Sequence, residues 1–167
     1  PGLSLGAVLF NPNEPGSAIA VKEMEVAAEG LRLQLQSFQV RGASDFDKAF
    51  AAMTKKPARG LMVIRGGVTN ANEVRIVDFA VQNRLPAMSS RSGFVEAGGL
   101  MFYGVNDADL YRRAATFVDK ILKGAKPSEL PVEQPMRFDL IINLQTAKQI
   151  GVTIPPELLV RASKIIR

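Results

Sequence analysis

The chain has 167 residues, a hydrophobic fraction of 47% and a net charge of +5, the composition of one folded globular domain rather than a disordered segment. It contains neither cysteine nor histidine, which excludes disulfide frameworks, thiolate zinc sites, iron–sulfur ligation, cysteine nucleophiles and Ser-His-Asp catalysis. No apolar run approaches the ~20 residues of a membrane span, and the basic doublets Lys55-Lys56 and Arg112-Arg113 are diluted by Asp45, Asp47, Asp107 and Asp109, so no nucleic-acid partner is expected.

Gly6 to Phe10 is a short apolar run that reads as a buried strand. The turn formers Asn11 to Ser17 follow, with Ser17 as the expected N-cap of a helix carrying Val21, Met24, Ala28 and Leu31 and stopping at Gly30. Gln34 to Val40 is β-rich, with an alternation that slips at Ser37 and suggests a bulge or a late strand start. Ser44 should cap a helix with Phe46, Ala49, Phe50 and Met53 on one face, ended by Pro57. Leu61 to Ile64 is a third strand. Thr69 or Asn70 should cap a third helix carrying Val74, Val77 and Val81, and Leu85 to Met88 is a fourth strand. Strands recurring roughly every 25 residues with a helix between each pair describe βαβ units, and their continuous apolar character suits a parallel sheet covered on both faces.

The later part changes character. Leu100 to Tyr103 is another strand, and Asn106 or Asp107 caps a helix whose Leu110, Ala114, Phe117, Val118, Ile121 and Leu122 form one apolar stripe ending at Gly124. Pro127, Pro131 and Pro135 mark an extended connector. Phe138 to Ile142 is a last strand, Asn143 caps a short helix ending at Gly151, and Pro155-Pro156 opens a final helix with Leu158, Leu159, Ala162, Ile165 and Ile166. The fold class is therefore α/β, with a βα-repeat unit over residues 1–104 and a crossover helix, connector, last strand and C-terminal helices over residues 105–167.

Chemistry-bearing candidates are sparse. Glu14 and Glu96 lie on loops beside strand ends, where a carboxylate serves acid–base work only in an apolar cleft. No spacing suggests a metal site, and the first strand-to-helix turn lacks a GxGxxG fingerprint, so neither metal nor nucleotide cofactor is expected. Arg65-Gly66-Gly67 is the one glycine pair at a strand end. Ligands of open parallel sheets sit outside the carboxyl ends of the strands. That edge carries Asn11, Asn13, Glu14 and Ser17, then Arg41 and Ser44, then Arg65, Thr69 and Asn70, then Ser89, Ser90, Arg91 and Ser92. Uncharged donors, arginines and helix N-termini together suit a small anionic or zwitterionic molecule.

Several ordered motifs resemble one group of ABC-transporter substrate-binding proteins. They are Phe94 to Leu100 with Tyr103-Gly104 and Asn106, Leu122 to Pro127 with Leu130 to Glu133, Asn143 to Gly151 with Ile154-Pro155-Pro156, and Val8 to Pro12 with Pro15-Gly16-Ser17. The resemblance covers nearly the whole chain, and the group includes binders of aromatic amino acids. It implies one Rossmann-like lobe of a two-lobed, hinged type I periplasmic-binding fold, the chain being similar to the C-terminal half and entering the second lobe at Pro1-Gly2-Leu3-Ser4. It further implies a non-enzymatic, exported solute-binding component of an importer, which clamps a small molecule between lobes and meets a membrane permease. Asn13, Glu14, Ser17, Ser89, Ser90, Arg91, Tyr103 and Asn106 match positions bordering the cleft. Arg65 joins them as a binding candidate at a segment that departs from the family's usual sequence. The alternatives are a ligand-sensing regulatory module on the same fold and an enzyme on a flavodoxin-like scaffold. Without the first lobe, the stripe of the 107–123 helix would lose its partner, so a homodimer through that helix is expected.

Overall fold

The computed structural model describes residues 5–167; Pro1 to Ser4, where the sequence expects the chain to enter its lobe, lie outside the described residues. The strands are β1 (Leu5–Phe10), β2 (Gln34–Gln39), β3 (Leu61–Val63), β4 (Ala87–Ser89), β5 (Met101–Val105), β6 (Phe138–Asn143) and β7 (Lys164–Ile166). They form one sheet in the order β2-β1-β3-β4-β5-β6-β7. β1 to β5 are parallel, β6 runs antiparallel to β5, and β7 is parallel to β6.

Period two explains the layers. Ala7 and Leu9 of β1 join Leu61, Val63 and Ala87 on one face. There they pack against Phe46, Ala49 and Met53 of α2 (Asp45–Lys55) and Ile76, Val77 and Ala80 of α4 (Glu73–Gln82). Val8 and Phe10 point to the other face, against Val21 of α1 (Pro15–Gly30). Beyond α1 that face carries an apolar trough of about 610 Å³, lined among others by Met24, Leu35, Met62, Met88, Met101 and Ile154. Helices thus lie on both faces, as expected, but the α1 side is only partly covered.

β2 contains no bulge: six residues pair in unbroken register from Leu5↔Gln34 to Phe10↔Gln39. The slip at Ser37 has another cause. Leu35 packs on the α1 side and Phe38 on the α2 side, so this edge strand buries one apolar residue on each face. Gly6 opposite makes room for Leu35, whose Cδ2 would stand 2.9 Å from an added Cβ.

Several local expectations are corrected. The expected third helix is broken at Asn72 (φ −114°, ψ 22°) into α3 (Gly67–Ala71) and α4. Val74 is exposed, whereas Ile76, which the sequence stripe omitted, is fully buried. A further short helix, α5 (Gly93–Glu96), buries Phe94 and Val95 between β4 and β5. Gly30 does not make the left-handed stop of α1; Arg32 does, at φ 56°, and Arg84 ends α4 in the same way at φ 50°. Gly124 and Gly151 do adopt positive φ, as the sequence expects of helix stops.

The crossover helix α6 (Asp107–Leu122) has no buried residue. Its stripe faces the connector only in part, where Leu110, Phe117, Glu133 and Met136 line a groove of about 340 Å³ and Arg113 pairs with Glu133. At the C-terminus α7 (Leu144–Ile150) and α8 (Pro156–Arg161) form as helices, but Ile165 and Ile166 belong to β7 and not to the final helix. Ala162 turns extended (φ −69°, ψ 129°), and Ser163 N–H donates to the Leu140 carbonyl at 2.8 Å. The free edge of β6 then captures the β-branched pair.

Two packing predictions follow from these local geometries. Gly99→Ala should lower stability by about 1–3 kcal/mol in urea unfolding, because its Cβ would lie 2.6 Å from the Phe94 carbonyl oxygen, which the core fixes. Arg32→Gly should raise it by roughly 0.5–1 kcal/mol, since glycine relieves most of the left-handed penalty and lets back part of it through the unfolded chain.

Candidate functional site

All parallel strands end at one edge, so the loops after β1, β3, β4 and β5 converge there. After β1, buried Asn11 accepts the Asn13 N–H on Oδ1 at 3.0 Å, and its carbonyl accepts the Glu14 N–H at 3.2 Å. This Asx turn leaves Asn13 exposed and sends Glu14 toward the β3 loop. There Glu14 Oε1 accepts the Gly67 N–H at 2.8 Å, while a Cβ at Gly66 would stand 3.1 Å from Glu14 Cγ. The glycine pair that the sequence singled out thus admits the chain's own carboxylate and pins two loops together.

After β3, Arg65 is exposed and reaches Asp107 at 3.8 Å, across to the start of α6. Thr69 is no cap: it is buried, and its hydroxyl donates to the Ile64 carbonyl at 2.8 Å. Ser17 and Ser44 likewise make no side-chain cap. Ser17 is buried inside the first turn of α1, which begins at Pro15. Ser44 stands at the N-cap position of α2, and the Asp45 carboxylate turns back to accept the Arg41 and Gly42 N–H groups of the preceding loop at 2.7 and 3.2 Å.

After β4, Ser89 is buried within the strand, and its Oγ accepts the Arg91 N–H at 3.3 Å. Ser90 and Arg91 are half-buried at the surface. The Arg91 guanidinium pairs with Glu73, whose side chain is only 12% exposed. Burial pushes the Glu73 carboxyl above its ordinary value of 4.5, Arg91 opposes that shift, and the Glu96 charge adds to it.

At the end of β5, Asn106 caps α6 by accepting the Asp109 N–H at 2.8 Å, and its Nδ2 donates to Asp139 at 2.5 Å. Tyr103 does not join this edge. By strand parity it stands on the α1-side face with Met101, stacked on Phe138 at a centroid distance of 6.0 Å.

The structure therefore gathers Asn13, Glu14, Arg65, Ser90, Arg91 and Asn106 at one edge, leaves Ser17 and Ser89 beneath the surface, and places Tyr103 on a sheet face. Sequence reasoning missed Glu73, Asp107 and Asp139, the acidic partners that pair with edge residues from other loops; no local motif marks them. Among the described residues no group of three or more acidic side chains is placed to hold a metal, and the edge offers an open row of amides, hydroxyls and paired charges, suited to hydrogen-bonding one side of a small polar molecule.

Residues 1–166 match the family described as ABC transporter substrate binding protein. A curated tyrosine-binding protein of Clostridioides difficile is 22% identical over 87% of this chain and 42% of its own length. A solved ABC domain from Streptococcus pneumonia in complex with L-Trp is 26% identical, with a TM-score of 0.87, over 98% of this chain and 56% of that one. A conserved domain protein from Vibrio cholerae is also 26% identical, with a TM-score of 0.84, over 99% of this chain and 55% of that one. The chain thus spans about half the length of the relatives it matches.

The raised Glu73 carboxyl makes a pH prediction. A carboxyl whose folded-state pKa is raised contributes stability that is fully present below 4.5 and lost as pH rises through the folded-state value. Glu73→Gln removes that titration. Its melting temperature relative to the parent protein should therefore climb as pH increases from 4 to 7, as thermal unfolding across a pH series will show.

Proposed function

The chain belongs to the ABC transporter substrate-binding protein family, and on that premise we propose that it is the second lobe of a solute-binding component of an importer, taking an aromatic amino acid at its strand-end edge. The carrying observation is the family match over residues 1–166, supported by the likeness to a domain that binds L-Trp and to a tyrosine-binding protein. The first lobe would close on the edge formed by Asn13, Glu14, Arg65, Ser90, Arg91 and Asn106, with Ser17 and Ser89 supporting those loops from below. Tyr103 would face the hinge side rather than the ligand. No reaction takes place: closure presents the loaded protein to a membrane permease outside the cytoplasm.

In this reading β5 and β6 are the two strands through which the chain leaves the lobe and returns, with residues 1–104 as its βα-repeat body and residues 105–167 as its crossover and C-terminal part. Their antiparallel pairing from Met101↔Ile142 to Val105↔Phe138 holds the exit and return points together. The Asn106 contacts with Asp139 and with the Arg137 carbonyl (3.1 Å) lie at that point. Because α6 buries nothing against its own sheet, its stripe is available to another body, and the isolated chain should form a homodimer through it.

Titration calorimetry tests the binding role. Half of a clamp lacks the contacts of the other lobe, and each factor of ten in affinity is about 1.4 kcal/mol. The isolated chain should therefore bind L-tryptophan or L-tyrosine no tighter than micromolar, whereas the protein with both lobes should bind one of them at least about a hundredfold tighter. Equal affinities, or no binding by the two-lobed protein, would overturn the reading.

Sedimentation tests the assembly. Burying side chains such as Leu110, Phe117, Val118 and Ile121 is worth roughly 1.5–3 kcal/mol each. A dimer at micromolar concentration is expected, dissociated by Phe117→Asp or Ile121→Asp and unaffected by Lys55→Asp; a monomeric parent chain would refute it.

A further inference from the structure

Arg91 is the one edge arginine whose guanidinium is drawn into the protein. Its Nη1 meets Glu73 Oε2, and the Arg91 side chain keeps 40% exposure against 12% for Glu73. The guanidinium lies over Gly93, where an added Cβ would stand 2.8 Å from Cζ, so the absence of a side chain there is what admits it. Glu73 opens α4, after β3, and Arg91 follows β4, so the pair bridges the loops of two adjacent parallel strands. The second carboxylate oxygen, Glu73 Oε1, is buried with no hydrogen-bond partner. Arg91 is therefore the close compensating cation for a carboxylate held at substantial desolvation cost. Removing either partner alone leaves the other uncompensated. The neighbouring charge, Glu96, is of the wrong sign to help.

We propose that Glu73 is a specificity-determining residue of the binding edge: by cancelling the charge of Arg91 it makes the edge select a zwitterionic amino acid over a simple carboxylate. The inference rests on the reading of this edge as half of an amino-acid cleft. An unpaired guanidinium attracts any carboxylate and repels an ammonium group, so it would favour an organic acid over the amino acid with the same side chain. Paired with Glu73, it adds little net charge. Of the other edge charges, Arg65 is matched by Asp107, and Glu14, whose Oε1 accepts the Gly67 N–H, keeps a negative charge that favours the ammonium group. A ligand carboxylate can then be met by loop amides and the Ser90 hydroxyl, without a field that opposes the ammonium group.

The test compares L-tryptophan with indole-3-propionate, the same side chain and carboxylate without the ammonium group, by calorimetry on the two-lobed protein. The parent protein should prefer the amino acid. Glu73→Gln should shift the affinity ratio about tenfold toward the acid, the scale expected of one uncompensated charge near a ligand. The double variant Glu73→Gln/Arg91→Gln, which carries neither charge, should return to within about twofold of the parent ratio, because the shift comes from the unpaired Arg91; a general loosening of the fold would weaken both ligands alike in either variant. An unchanged ratio in Glu73→Gln, or a double variant that keeps the full Glu73→Gln shift, overturns the proposal and leaves the amino-acid reading standing. A parent protein that binds neither ligand overturns that reading, and this inference falls with it.

Discussion

The parallel pairing of β1 with both β2 and β3 is the constraint on which the rest depends. A parallel strand cannot return by a tight turn, so each connection must cross a sheet face as a helix and re-enter at the same end. β1 to β5 then finish at the same edge, and the loops that follow them are brought together whatever their sequence. β1 meets this demand with five consecutive buried residues, Gly6 to Phe10, serving both faces. The departure from parallel order comes only at β6, which returns beside β5 after the α6 excursion.

The edge assembled in this way is held together by its own polar groups. Glu14 ties the β1 loop to the β3 loop, Glu73 and Arg91 tie the β3 loop to the β4 loop, and Arg65 reaches from β3 to the start of α6. Each contact links residues far apart in sequence; the first two join loops of adjacent strands, and the third spans from β3 past β4 to the helix that follows β5. The arrangement leaves backbone amides and small hydroxyls exposed along the edge, while Arg65 and Arg91 are paired with acids within the protein. The tying side chains set where the loops stand, and the loop tips between them carry the exposed polar atoms.

Two surfaces remain apolar and open. The trough beside α1 and the stripe of α6 are both unlike the solvated faces of α2 and α4, whose outward positions are charged. The chain spans about half the length of the relatives it matches.

The sequence by itself determined the alternation of strands and helices, the parallel character of the first sheet strands, the strong amphipathic helix after Asn106 and the caps at Asn106 and Asn143, both of which do accept a backbone N–H. These are properties of period, turn chemistry and local hydrogen bonding, and they need no knowledge of distant residues. The motifs also carried the family resemblance, which the family match over residues 1–166 bears out. Only the tertiary structure decided the rest. The last residues became β7 because β6 offered an unpaired edge, a fact that a helical spacing of Leu158, Ala162 and Ile165 cannot contain. Ser17 and Thr69 had cap chemistry, but their helices begin at Pro15 and Gly67, and Ser44, though it stands at the N-cap of α2, makes no side-chain cap bond. Glu73 lies in the first turn of α4; it is a buried partner of Arg91 because two adjacent parallel strands bring their following loops within reach, and charge pairing across such a distance in sequence is written in the topology rather than in any local motif.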